Sequence, residues 1–527
     1  MRHVTVQMFV VDHEPEADPL AFPKKRLTRR NFLGAVGATG ALLGNVSLSS
    51  TSVFAGTRQL DDLVEYDAVG LAQLVKTKEI SAVELVERVI RRIEALNPIV
   101  NCVATPTFDR ALEKAREISP DTFFAGVPTM LKDMVDVGGV RRTDGSRLWA
   151  TNIPQKSVAY VEALEASGLN MIGTTVAPEF ANGLDSELYG MAINPWNLDY
   201  SCNASSSGAA CAVAAGIVPL VHGTDGGGSN RLPASACNVI GFKPSRGRMM
   251  SGEQDGSHDT FKTNGPICRT VRDAAALIDV CEDKVGPFPP IGFIEGPSKR
   301  RLKVAYARMG TKGVEPVAAI VRAQDAVAEL LRELGHEVTE IDHPIDGTEY
   351  LRMFRYAFLP KFAPLLSLAR GISGQSSLET GLLSNWTATT MLEGQSYSPE
   401  QRQEGLNYFN DISAKFAEVF ANHDVIFSAT SPSETLKRNA VSHRDDFASK
   451  AHLLENLLAL ASPVNAVGDC AISLPVSFSS ETNMPVGSMF HAAAGNDATL
   501  VELSYELEQA RPWNDNWAPY SAKFIPV

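Results

Sequence analysis

No excess of basic residues is present in this sequence: 48 lysines and arginines stand against 61 aspartates and glutamates, a net charge of −13. Nucleic acid and anionic bilayers need a basic face, so neither is an expected partner. Beyond residue 55 there is no run of 18 or more uninterrupted apolar residues, so no membrane anchor is expected after that point. The seven cysteines, at 102, 202, 211, 237, 268, 281 and 470, form no C-x-x-C pair and are odd in number. Neither a zinc site nor a disulfide framework is indicated, and small buried apolar side chains are their expected role. No cluster of ligand residues asks for a metal, and no cofactor is expected. Repeats and low-complexity tracts are also missing, which excludes solenoids and arrays.

What is present begins with an export-like leader. Lys24, Lys25 and Arg26 precede Thr28-Arg29-Arg30-Asn31-Phe32-Leu33, then a modestly apolar Gly- and Ala-rich run to Leu43 and a Val53-Phe54-Ala55 stretch suited to a signal peptidase. This order resembles a twin-arginine export signal. Residues 1–55 are therefore set aside as a removable leader, and the expected location is periplasmic or extracellular. The resemblance implies export of an already folded chain, which would let unpaired cysteines be buried before they meet an oxidising compartment.

Residues 56–527 read as one enzyme body of 44% hydrophobic and 21% charged composition, the balance of a globular protein. Ser81-Ala82-Val83-Glu84 predicts a capping box opening a helix to about Leu96, with Asn97-Pro98 as its stop. Helical spacing recurs over 108–118, 158–166 and 316–335, while 169–175, 336–341 and 424–428 read as short strands. Helices interleaved with apolar strands predict an α/β fold, a large mixed, twisted sheet with helices on both faces. Residues 346–423 predict a helical insertion, and the stretch 346–463 is expected to shape the substrate pocket. Its apolar residues Tyr350, Leu351, Met353, Phe354, Tyr356 and Phe358 are read as helix packing.

Chemistry points to residues 194–248. A Ser-rich loop and the Gly-rich loop Gly223-Thr224-Asp225-Gly226-Gly227-Gly228-Ser229 flank an Ala-rich helical stretch. Glycines let backbone N–H groups turn inward beside a serine hydroxyl, as an oxyanion hole requires. No Gly-Lys-Ser/Thr follows, which excludes a Walker loop. No G-x-S-x-G elbow surrounds Ser229, which removes the main support for an α/β-hydrolase. His222 invites a Ser-His reading, but no acid partner is placed for one, and a hydrogen-bonded core histidine is expected.

The segment resembles the amidase signature family. Ser205 and Ser206 match its serine pair, Gly223 through Ala234 match its nucleophile block with Ser229 standing 24 residues after Ser205, and Gly126-Val127-Pro128-Thr129-Met130-Leu131-Lys132-Asp133 matches its lysine block. Further matches are Glu179-Phe180-Ala181, Gly241-Phe242-Lys243-Pro244 and Asp469 through Pro475. The resemblance implies an amidase that turns a carboxamide into acid plus ammonia or amine. Ser229 is the implied nucleophile, Ser205, preceded by a cis peptide, the relay, and Lys132 the base. The N–H groups of Gly226, Gly227, Gly228 and Ser229 would hold the oxyanion; Ser206 would orient Lys132, while Asp225 and Arg231 brace the loop. The expected partner is a small-molecule or peptidyl amide, and the enzyme is expected to be a monomer or homodimer. Alternatives are a glutamine amidotransferase subunit acting on misacylated transfer RNA, and a degenerate member that only binds ligand.

The sequence departs from the family at Ser201-Cys202-Asn203-Ala204, where Ser-Pro-Gly-Gly is usual, and at Ser207 in place of a glycine. If those positions need positive φ, Asn203 tolerates it best. Cys202 is a candidate reactive thiol.

Overall fold

The computed structural model describes residues 60–256, 261–375, 378 and 380–527. The expected leader, Arg29 and Arg30 included, lies outside them. Eleven strands form one sheet: β1 Val103–Pro106, β2 Pro128–Lys132, β3 Asn170–Thr175, β4 Leu220–Asp225, β5 Ile240–Lys243, β6 Thr263–Cys268, β7 Lys303–Tyr306, β8 Glu337–Glu340, β9 Val425–Ala429, β10 Cys470–Phe478 and β11 Pro485–Ala492. Their order is β1-β3-β2-β4-β6-β5-β10-β11-β9-β7-β8. The pairs β3/β2, β2/β4, β9/β7 and β7/β8 are parallel and the remainder antiparallel. This is the mixed sheet that the interleaved pattern predicts.

Both faces of the sheet are covered. On one, α1 (Ala68–Lys76) contributes Leu71, α4 (Ala159–Ala166) Val161, α7 (Val271–Cys281) Leu277 and α15 (Asp497–Ala510) Leu503. On the other lie Val89 of α2 (Ala82–Val100), Ala111 of α3 (Phe108–Glu117), Val213 of α5 (Ser207–Ala214) and Ala236 of α6 (Arg231–Cys237). Strand β4 shows the alternation behind this layering, with Leu220 in the first core and Val221 in the second. Helix α5 is buried along its whole length because its residues are small. A Cβ at Gly208 would stand 2.6 Å from the backbone of Val176, so no larger residue fits that contact.

Two sequence expectations about α2 change. Ser81 Oγ accepts the Glu84 N–H at 3.1 Å, but the Glu84 carboxylate pairs with Arg88, so only half of the box forms. The helix also runs through Pro98 to Val100 rather than stopping at Leu96. Proline removes one donor there, while Asn101 N–H still reaches the Asn97 carbonyl and the Asn97 side chain accepts the N–H groups of Cys102 and Val103. Over 346–423 the chain forms α9 (Gly347–Phe358), α10 (Ala363–Ser373), α11 (Asn385–Ser396) and α12 (Pro399–Phe420), with α8 (Ala318–Glu333) before them and α13 (Phe447–Leu458) and α14 (Ser462–Val467) after β9.

Candidate active site

Lys132 is the last residue of β2, and the parallel register of β2 with β4 pairs Leu131 with His222. That register brings the lysine beside Thr224 at the end of the neighbouring strand. Lys132 Nζ stands 2.9 Å from Thr224 Oγ1 and 2.7 Å from Ser205 Oγ. Ser205 Oγ in turn lies 2.9 Å from Ser229 Oγ, and the Ala204–Ser205 peptide is cis. The three side chains thus form one unbroken chain of contacts. Lys132 is fully buried, and burial pulls its pKa from 10.5 down to about 7 against the attraction of Asp225. A lysine in that state is neutral often enough near neutrality to accept a proton.

The Gly-rich loop is fixed from behind. Asp225 accepts the N–H groups of Gly228 at 2.7 Å and Asn230 at 3.1 Å, and takes both arms of the Arg231 guanidinium at 2.9 and 3.0 Å. Against burial, which raises it, the Arg231 and Lys243 charges and the Asn465 hydrogen bond hold the Asp225 carboxyl well below the usual carboxylate range. Asn465 of α14 completes the brace: its side chain bonds the Asp225 carboxylate and carbonyl and accepts from Arg231. Gly228 takes φ +111°, where a side chain would be strained. Asp225 and Arg231 are therefore where the bracing reading needs them. Gly228 is not a free donor, because its N–H is spent on Asp225. The N–H groups of Gly226, Gly227 and Ser229 have no protein acceptor among the described residues, so the donor set expected for an oxyanion shrinks to these three.

Ser206 also differs from expectation. Its hydroxyl donates to the Thr224 carbonyl at 3.1 Å, and its N–H bonds the Ser229 carbonyl at 3.1 Å. It touches Lys132 only through Thr224, which lies inside the Gly223–Ala234 block but has no expected role there. Asn465 was missed for a different reason, being about 240 residues away in the chain. Of the three residues replacing family glycines, only Asn203 sits at positive φ, +53°, and its side chain accepts the Leu436 N–H at 3.3 Å. The left-handed position is thus filled by the residue type that best tolerates it.

Two other candidates leave the chemistry. His222 is buried, bonded to Asn264 at 3.1 Å, and pushed down to about 3 by burial, which makes it a neutral core residue. Cys202 is fully buried and its thiol is pushed up by burial among Cys211 and Cys237, so it is no reactive nucleophile. All seven cysteines are buried and unpaired. Next to the lysine, Asp133 accepts from Thr143 Oγ1 at 2.5 Å, and burial raises its carboxyl to about 7.

Ser205, Ser229, Gly226 and Gly227 open onto a cavity of about 420 Å³, within the usual size of a small-molecule site. Its walls include Trp149, Phe180, Phe261, Phe354, Phe358 and Phe447. Phe354 and Phe358, expected as helix packing, face the cavity instead, while Tyr350 and Met353 of the same helix are buried in packing. An i,i+4 pair on an amphipathic helix cannot reveal from sequence whether its groove is filled by protein or left open.

The amidase family profile matches residues 84–501. The Mycobacterium bovis protein AmiC is 32% identical over 489 residues, covering 88% of this chain and 98% of its own. The 6-aminohexanoate-cyclic-dimer hydrolase of Paenarthrobacter ureafaciens is 30% identical, with 85% of this chain and 95% of its own covered. A solved structure of a 6-aminohexanoate cyclic dimer hydrolase with substrate superposes with a TM-score of 0.76 at 26% identity, covering 87% of this chain and 100% of that one.

Proposed function

This chain belongs to the amidase family, and we propose that it cleaves a linear carboxamide by acyl transfer through Ser229, with Ser205 relaying the proton to Lys132. The observation that carries this reading is the continuous contact chain from a buried, pKa-lowered lysine to a serine that faces an open cavity. With Lys132 neutral, the Ser229 proton passes to Ser205 as the Ser205 proton passes to Nζ, and Ser229 Oγ bonds the carbonyl carbon. The tetrahedral oxyanion is held by the N–H groups of Gly226, Gly227 and Ser229. The C–N bond then breaks while the proton returns through Ser205 to the departing nitrogen, leaving an acyl ester on Ser229. Water attacks that ester along the same relay and releases the acid. Thr224, itself held by Ser206, keeps Nζ in line.

The test is covalent. A fluorophosphonate is expected to label the wild-type protein at Ser229 and to leave Ser229→Ala unlabelled; absence of label on folded wild-type protein would sink the reading. The amidotransferase and ligand-binding alternatives are not favoured, since relatives covering most of this chain are named as a hydrolase and an acylamidase. Export by the twin-arginine route is proposed on the Thr28–Leu33 pattern alone. Replacing Arg29 and Arg30 by lysine should retain the protein in the cytoplasm, and unchanged export would refute that route.

A further inference from the structure

The cavity in front of Ser229 is lined by members of four hydrophobic clusters. Phe261 and Phe354 come from one, Leu232 and Leu457 from a second, Phe180 from a third, and Phe447 from a fourth. Ionised groups on these walls have protein partners. Arg355 is paired with Glu455, Asp144 with Arg142, and Lys262 with Glu253, while the Lys361 ammonium lies 5.0 Å from the centre of the Phe261 ring. A small polar amide would therefore gain little here beyond the contacts made at its reacting group.

The rings on these walls pack on one another into a continuous aromatic surface. Phe354 and Phe358, one turn apart on α9, are stacked with centroids 4.8 Å apart and planes 17° apart. Phe261 stands edge-on to both, at 6.3 and 5.5 Å, and Phe362 is edge-on to Phe358 at 5.3 Å. Aromatic groups favour offset-stacked and edge-to-face neighbours at these spacings. Direction follows from the relay. Ser205 returns the proton to the departing nitrogen, so the amine lies on the Ser205 side and the acyl group extends the other way, past Gly227. Phe354 stands over that part of the loop, its ring 3.7 Å from where a Cβ on Gly227 would be, so an acyl group taking this path meets the Phe354 ring first.

Resting on the Ser229 reading above, we propose that the preferred substrates carry an aromatic acyl group seated against Phe354, Phe358 and Phe261, and that Phe354 and Phe358 set this preference. The experiment compares p-nitroanilides that share one leaving group and differ in the acyl part, acetyl against phenylacetyl. Wild-type kcat/KM should favour phenylacetyl by about tenfold or more, the scale on which an apolar pocket discriminates. Phe354→Leu and Phe358→Leu keep an apolar side chain but remove the flat ring. Each should shrink that ratio by about threefold or more through a higher KM for the phenylacetyl substrate. Fluorophosphonate labelling of Ser229 counts folded, competent sites in every sample. Labelled wild-type protein that prefers acetyl, or ignores phenylacetyl, overturns the aromatic-acyl proposal and leaves the Ser229 reading standing. So does an unchanged ratio in both labelled variants. Unlabelled wild-type protein overturns the Ser229 reading itself.

Discussion

The floor of the cavity, built on β2, β4, the segment before α5 and the Gly-rich loop, is made of small and polar residues, while its walls, from Trp149, Phe180 and Phe261 and from the helices between Gly347 and Leu458, are made mostly of large apolar ones. On the floor nearly every side chain is fixed by direction: Lys132 by Thr224 and Ser205, Ser206 by Thr224 and Asn230, Asp225 by Arg231 and Asn465. On the walls the rings meet by shape, and few hydrogen bonds tie them. Proton transfer needs atoms held to within a fraction of an ångström, which buried hydrogen bonds supply. Apolar recognition needs volume and dryness, which many side chains can provide. A change on the floor should therefore cost rate or stability, and one on the walls should change which substrate is taken.

The largest expected effect is on the floor. Ser229→Ala should lower kcat/KM by about 10⁴-fold or more, the scale seen when a catalytic nucleophile is lost, with little change in unfolding free energy. A residual activity within tenfold of wild type would break the contrast. Lys132→Met should cost about 10²- to 10⁴-fold in kcat, and it should also alter stability with a definite sign. The folded pKa of about 7 lies below the ordinary lysine value of 10.5, so between these pH values the unfolded chain binds the extra proton. Wild-type stability therefore rises with pH across that window, and the penalty of the buried amine is greatest at and below neutrality. Lys132→Met should accordingly gain Tm relative to wild type at pH 6 and lose that advantage toward pH 10.

The same lowered pKa sets the rate profile. Wild-type kcat/KM should rise tenfold per pH unit up to about 7 and level off above it, because only neutral Lys132 accepts the proton. Asp133, raised to about 7, titrates in the same range. Asp133→Asn should keep the rise if Lys132 is responsible, and its disappearance would move the assignment to the carboxyl. Smaller again is Asn465→Leu, which leaves Asp225 and Arg231 short of buried partners. It should cost roughly 1–3 kcal/mol in denaturant unfolding, with activity falling as the loop loosens. Smallest is Glu179→Gln, at the seam between floor and walls. Glu179 accepts from Ser146 Oγ at 2.6 Å and from the Ser384 hydroxyl and N–H at 2.6 and 3.0 Å. Trading a charged acceptor for a neutral one should cost about 1 kcal/mol of stability, and a loss as large as that of Asn465→Leu would place the seam on the floor side.

Legibility in the sequence follows the same division. Alternating strands, the amphipathic helices and the blocks around Lys132, Ser205 and Ser229 could be read because each is a local pattern of a few residues. The α2 boundary could not, since the Asn97 side chain that secures the helix end past Pro98 does so by accepting from Cys102 and Val103, where the chain turns into the next strand. Gly228 looked like a donor because glycine promises an inward N–H, and only the Asp225 carboxylate three residues earlier decides where that N–H goes. Phe354 and Phe358 looked like packing because their spacing is the same whether a groove is full or empty.

By itself the sequence determined an α/β body, which residue types stand ready for acyl transfer, and that a positive-φ position, if one existed, would suit Asn203. Tertiary structure alone decided that Lys132 and Thr224 are neighbours, that Asn465 reaches back about 240 residues to hold the loop, and that the rings of α9 face open space. Periodicity and short motifs are properties of adjacent residues, whereas a register between strands, a buried amine's loss of hydration and an unfilled groove exist only when distant segments meet.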